Sequence, residues 1–191
     1  MKCGKGMKQE EQEYCRDCQK KTWTYTRGRG LWLHTGDVER ALYQFKFYNK
    51  RSYGEIFGKE LAGCFKEQLA RWQVEEIIPI PLHSSKKRQR GYNQAEILAR
   101  VLGQEVALPV NAKVVYRLRK TKPQKGLDNR ERVTNLSGAF GVSKAWQPKK
   151  TVLLVDDIYT TGNTIHQVAK LLQKAGVEKV YFLTMSIGQE A

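Results

Sequence analysis

The sequence predicts an α/β protein whose parallel sheet is flanked by helices, and three stretches predict it. Residues 151–176 run from an apolar strand through a polar turn into an amphipathic helix, and residues 76–103 repeat that order. Residues 179–185 then add a last apolar strand. The run 152–155, Val-Leu-Leu-Val, is apolar at every position, as a strand buried on both faces demands.

At 191 residues and 40% hydrophobic content, the chain supports a real core in one medium domain with a small appendage, divided as 1–29 and 30–191. Lys and Arg number 34 against 19 Asp and Glu, a formal net charge of +15. That balance argues for anionic partners such as phosphorylated ligands or nucleic acid. No apolar run approaches the length of a membrane span and no signal peptide precedes the domain, so the expected compartment is the cytoplasm.

Four cysteines are too few and too unevenly spaced for a secreted disulfide framework. Cys15-Arg-Asp-Cys18 has knuckle spacing and Cys3-Gly4 reads as the second half of another knuckle, which makes Cys3, Cys15 and Cys18 candidate zinc ligands. Three thiolates leave a tetrahedral site incomplete. Either a further cysteine belongs ahead of Met1, or a group such as His34 or water completes the set. The expectation is a truncated zinc ribbon over 1–29 that folds with its metal. Cys64, on a helical stripe with Phe57, Leu61 and Leu69, reads as a small buried hydrophobe.

Residues 31–34 read as a short strand, after which Asp37 caps a helix burying Val38, Ala41, Leu42 and Phe45. Residues 46–51, Lys-Phe-Tyr-Asn-Lys-Arg, mix bases and aromatics. They can stack nucleobases while pairing phosphates, or simply end a helix with cations that complement its dipole. A helix over 54–71 leads into a strand over 76–81, whose Pro79 and Pro81 stiffen its end. Lys86, Lys87, Arg88 and Arg90 follow as a basic loop at the sheet's carboxyl edge, suited to a diphosphate. Asn93 and Glu96 match an N-terminal capping pattern for a helix carrying Ala95, Leu98, Ala99 and Leu102 and ending at Gly103. The long, polar, cation-rich connection over 117–135 has the profile of a mobile active-site lid.

The chemistry concentrates at residues 156–164. In parallel sheets, ligands sit beyond the carboxyl ends of strands, against the next helix's N-terminus. Backbone N–H groups at 160–164, hydroxyls from Thr160, Thr161 and Thr164, and the helix that Asn163 opens make a site for a phosphate monoester. Gly162 lets the backbone approach closely. Asp156 and Asp157 cannot face that phosphate, so they accept hydrogen bonds from vicinal sugar hydroxyls or act through Mg²⁺. Phosphate and diol together describe a phosphorylated ribose. The helix carries Ile165, Val168, Ala169 and Leu172 on one face and stops at Gly176.

This stretch resembles the phosphoribosyl pyrophosphate signature of type I phosphoribosyltransferases: a hydrophobic run, two acids, then a Thr-Thr-Gly-x-Thr loop. Pro-Ile-Pro-Leu-His at 79–83, the basic spacer and Arg-Gly-Tyr-Asn-Gln at 90–94 further resemble the competence protein F family. So do Arg117, Thr121, Gln124, Leu127, Arg130, Asn135 and Ala139-Phe140. The resemblance spans residues 3–186, departing where a first knuckle cysteine is absent. It implies Asp156 and Asp157 as catalytic residues that also bind the phosphoribosyl group, with Thr160, Thr161, Gly162, Asn163 and Thr164. Pro81, Leu82, His83, Arg88 and Arg90 would take the diphosphate, and Arg117, Thr121, Gln124, Arg130 and Asn135 would belong to the lid. Lys86, Lys87, Arg119, Lys120 and Lys122 would meet nucleic acid.

The implied cofactors are Mg²⁺ with phosphoribosyl pyrophosphate, and Zn²⁺ at the incomplete cysteine site. The implied role lies in natural competence, on or near imported single-stranded DNA and with the proteins of that machinery. Thr160 stands where purine-salvage members of the fold carry a proton-accepting acid, which weighs against simple purine salvage. Three functions compete: a transferase turning over phosphoribosyl pyrophosphate, a single-stranded-DNA-binding competence factor, and a sugar-phosphate sensor without chemistry.

Overall fold

In the computed structural model, residues 2–6, 13–119 and 138–189 are described. Among them, strands β1 (Arg27–Leu33), β2 (Glu76–Pro79), β5 (Thr151–Tyr159) and β6 (Lys179–Ile187) form one sheet in the order β1-β6-β5-β2. Every pairing in it is parallel. A separate antiparallel pair joins β3 (Val115–Arg117) to β4 (Phe140–Val142). The helices are α1 (Arg16–Lys20), α2 (Gly36–Phe47), α3 (Ser52–Trp72), α4 (Ser84–Arg90), α5 (Gln94–Val106) and α6 (Asn163–Lys174).

Alternation along β5 divides the core into two layers. Val152 and Leu154 pack with Ile165, Val168, Ala169 and Leu172 of α6, whereas Leu153 and Val155 pack with Leu61 of α3 and Leu98 of α5. All four strand residues are fully buried, each worth about 1.5–3 kcal/mol against exposure. The predicted α/β sheet with helices on its faces is therefore what the chain builds. No helix among the described residues is long and apolar enough to cross a membrane.

Several local expectations are corrected. The strand expected at 31–34 is the longer β1, because Gly28 and Gly30 let it lie hard against β6, where a Cβ would come within 2.1 Å of Phe182 and 2.4 Å of Ile187. The basic stretch expected as a loop is helix α4: His83 accepts a hydrogen bond from the Ser85 N–H at its start, and left-handed Gly91 closes its end. Strand β5 continues past the apolar run through both acids, since its register with β6 holds as far as Tyr159.

Helix α2 begins at Gly36 with Thr35 before it, so Asp37 lies in the first turn instead of capping it. Asn93 does precede α5, but its side chain donates to the Ile80 carbonyl at 2.9 Å and caps nothing. Helix α5 runs through Gly103, which is buried, to Val106. Cys64 is exposed, because the buried face of α3 centres on Gly58, Leu61, Ala62 and Leu69 and turns Cys64 outward beside it.

Candidate functional site

The carboxyl ends of β2 and β5 open into a cleft of about 260 Å³. Its lining includes Pro81 and Leu82, the acids Asp156 and Asp157, the hydroxyls of Thr160 and Thr164, and the cations Lys46, Lys86, Arg90 and Arg117. The parallel register places the acids here. Val155, buried on the α5 side, is followed by two residues that pass beyond the end of β2, whose last partner is Pro79 opposite Val155.

The acids are neutralised unequally. Asp157 pairs with Lys46 of α2 at 2.9 Å, with only 13% and 19% of the two side chains exposed. Asp156 accepts a hydrogen bond from the Asp157 backbone N–H at 2.8 Å. Burial, with the neighbouring Asp157 charge second, pushes the Asp156 carboxyl up to about 8, against the pull of Lys46 and Arg117. Burial also draws the Arg117 guanidinium below its ordinary range. Arg117 stacks over Phe140 with its guanidinium 5.1 Å from the ring centre, so the β3–β4 pair holds it in place.

Beside the acids, the turn 160–162 leads into α6. Gly162 precedes the helix with φ +76, and a Cβ there would lie 2.3 Å from the Tyr159 hydroxyl. Both facts require glycine. The turn encloses a hollow of about 20 Å³ lined by Asp156, Thr160, Thr161, Asn163 and Thr164 among others. Thr161 Oγ1 and Asn163 Nδ2 are buried in this turn without hydrogen-bond partners. Buried polar atoms are rarely left so unless something else satisfies them.

Of the residues singled out in the sequence, the cleft and its hollow bring together Asp156, Asp157, Thr160, Thr161, Gly162, Asn163, Thr164, Pro81, Leu82, Lys86, Arg90 and Arg117. Arg88 lines a neighbouring cavity instead. His83 turns to the start of α4, its Nδ1 2.8 Å from Ser85 Oγ. Lys87 pairs with Glu96 at 3.1 Å, and Arg119 is exposed at the edge of the described chain. Thr121, Gln124, Arg130, Asn135, Lys120 and Lys122 lie outside the described residues. Lys46 was not foreseen as a partner of the acids, nor Asn93 as a lining residue of the cleft.

The cysteines gather as expected, and His34 does not join them. One potential ligand atom from each of Cys3, Cys15 and Cys18 lies within 4.8 Å of the others, and the Cys3 and Cys15 sulfurs are 3.4 Å apart. Three soft thiols this close fit zinc and could hold a metal ion. Hydrogen bonding from Cys3 draws the Cys18 thiol down to about 6, while Cys15 is raised chiefly by burial. His34 sits instead at the far end of β6, with Nδ1 3.1 Å from Ser186 Oγ.

A parallel sheet carrying an acid pair and a hydroxyl-rich turn at the head of a helix defines a phosphoribosyltransferase-type domain, and the phosphoribosyl transferase domain family matches residues 88–186. The chain belongs to the competence protein F family. It is 32% identical to Competence protein F of Haemophilus influenzae over 173 residues, covering 88% of this chain and 76% of that protein. It is 31% identical to Competence protein ComFC of Streptococcus pneumoniae over 187 residues, covering 93% and 77%. A DNA utilization protein, YhgH of Escherichia coli, is 33% identical over 106 residues, covering 56% of this chain and 46% of that one.

Proposed function

We propose that the cleft binds phosphoribosyl pyrophosphate and transfers its phosphoribosyl group. The supporting observation is the pair of unpartnered buried atoms, Thr161 Oγ1 and Asn163 Nδ2, in a turn beside two carboxylates. The turn would donate to the 5-phosphate from these atoms and from the N–H groups opening α6. Asp156 and Asp157 would accept from the ribose hydroxyls, which favours the ionised form of Asp156 and so opposes the positive charge that develops at the anomeric carbon. Arg90 and Lys86 would hold the departing diphosphate as its bond to that carbon breaks and a bond from a nucleophilic atom of the acceptor forms in its place. The carboxylate oxygens suit a hard divalent cation, so Mg²⁺ would be held by Asp156 and Asp157 and would supply charge neutralisation to the diphosphate.

In this reading Cys3, Cys15 and Cys18 hold zinc as a structural link within an N-terminal unit over 1–29, and the protein works in the cytoplasm on DNA taken up or used by the cell. The names of its relatives, competence and DNA utilization proteins, support that setting. The test is calorimetric titration with Mg²⁺ and phosphoribosyl pyrophosphate, beside ribose 5-phosphate. Saturable binding that disappears in Asp156→Asn/Asp157→Asn is expected; a wild type that binds neither compound overturns the reading. Slow release of diphosphate then separates a transferase from a sensor that binds without turnover.

A further inference from the structure

Between α4 and α5 the chain turns sharply, and three consecutive side chains there are buried: Tyr92, Asn93 and Gln94 are 6%, 7% and 1% exposed. Polar groups enclosed to that extent must be satisfied by the fold. The Tyr92 hydroxyl donates to the Phe45 carbonyl in the last turn of α2, and Asn93 Nδ2 donates to the Ile80 carbonyl ahead of Pro81. Gln94 has two partners. Its Oε1 accepts from Arg90 Nη1 at 3.1 Å, and its Nε2 faces the same Phe45 carbonyl at 3.5 Å. One orientation of the amide serves both, since a guanidinium only donates and a carbonyl only accepts. Lys46, the residue after Phe45, pairs with Asp157 at 2.9 Å, so one turn of α2 backs an acid of the cleft directly and Arg90 through Gln94.

We infer that Gln94 is a positioning residue: it aims Arg90 into the acid-pair cleft and so sets the cleft's preference for a sugar that carries a diphosphate over the same sugar without it. The inference rests on the phosphoribosyl reading proposed above. Arg90 lines the cleft and Gln94 does not, so Gln94 acts through its neighbour. An arginine side chain has much rotational freedom to lose when it is fixed. Here it is fixed in advance, by the Phe47 ring 4.9 Å from the guanidinium and by the Gln94 amide at its edge. A guanidinium already held loses less freedom when it meets a phosphate than one that must be ordered on binding. A carboxylate in the place of Gln94 would hold Arg90 as firmly but would neutralise it. The amide leaves the full positive charge for the diphosphate.

The experiment is calorimetric titration of the full chain, in Mg²⁺, with phosphoribosyl pyrophosphate and with ribose 5-phosphate. The variants are Gln94→Met, Arg90→Met, the two combined, and Tyr92→Phe. Met keeps the length of Gln without its amide, and the Phe45 carbonyl keeps the Tyr92 hydroxyl, so Gln94→Met should fold, which its melting curve checks. Gln94→Asn, which keeps a buried amide but withdraws it from Arg90 by one methylene, is the second variant and should behave alike. Affinity for phosphoribosyl pyrophosphate is expected to fall roughly tenfold, the scale of one hydrogen bond to a charged group, while ribose 5-phosphate binds as in wild type. In the Arg90→Met background, Gln94→Met should cost nothing more. Tyr92→Phe removes a donor from the same carbonyl without touching Arg90 and should leave the preference between the two ligands unchanged. Equal weakening of both ligands by Gln94→Met, the same loss with and without Arg90, or binding like wild type would each overturn the inference. A wild type that binds neither compound overturns the phosphoribosyl reading, and this inference with it, so the two failures are told apart.

Discussion

The hydroxyls of Tyr25 and Tyr159 meet at 2.6 Å in the buried space beneath the turn 160–162. Tyr159 reaches in both directions. Its hydroxyl lies under Gly162, while Lys5, from the segment that carries Cys3, stands 5.9 Å over its ring. Burial is the main cause that pushes both tyrosine hydroxyls above their ordinary range. The thiol cluster and the turn are therefore two sides of one packed unit.

That packing makes removal of the zinc proposed for the cysteines a test of the turn. Stripping metal with a chelator, or Cys15→Ser, should weaken phosphoribosyl pyrophosphate binding even though no cysteine lines the cleft. The measurement is metal content by release into a chromogenic chelator, run beside calorimetry. Undiminished ligand binding by metal-free protein would mean that the cysteines stabilise only their own segment. Tyr159→Phe should act in the same direction, because it strands the Tyr25 hydroxyl in the core at a cost of about 1–3 kcal/mol.

Gly162→Ala should cost more than a methyl group ordinarily does. It places a side chain at φ +76 and pushes a Cβ to 2.3 Å from the Tyr159 hydroxyl. The left-handed conformation alone costs about 1–2 kcal/mol. We expect lower thermal stability together with loss of sugar-phosphate binding, read by differential scanning calorimetry with and without ligand. A variant that melts normally and binds normally would show that the turn rearranges freely.

Lys46→Met removes the cation paired with Asp157. Both side chains are mostly enclosed, so the orphaned carboxylate should cost on the order of 2–3 kcal/mol, somewhat less than in a fully buried pair. Lys46→Met/Asp157→Asn should recover part of that loss. The double-mutant cycle in urea measures the coupling. A coupling near zero would mean that water already screens the pair.

The sequence made β5, its turn and α6 legible because each is local. Val152 to Val155 need burial on both faces, and Ile165, Val168, Ala169 and Leu172 repeat at helical spacing. The edge strand β1 was shortened because Gly28 and Gly30 carry no strand pattern, and only their contact with Phe182 and Ile187 explains them. Helix α4 has no apolar stripe at all; His83 and Gly91 form it by ending it. Lys46 could not be assigned to Asp157, since a pairing across more than a hundred residues leaves no periodic trace. The cysteines were legible as a cluster by their spacing, but His34 belongs to another end of the sheet.

Asp156 gives the free protein a pH dependence whose sign follows from its environment. Its carboxyl titrates near about 4 in an unfolded chain and is pushed up to about 8 in the fold, burial being the larger cause and Asp157 the second. Between those two values the folded state therefore holds a proton that the unfolded state has released. Its contribution to stability is fully present below pH about 4 and is lost progressively as pH rises through about 8. Other carboxylates bend the curve at the acid end, so the informative window is pH about 5–8, and the informative comparison is Asp156→Asn, which cannot ionise. Urea unfolding across that window should show wild-type stability falling with pH more steeply than the variant's. Parallel curves would mean that Asp156 is already ionised in the free protein, with Lys46 and Arg117 supplying enough positive charge to hold it so.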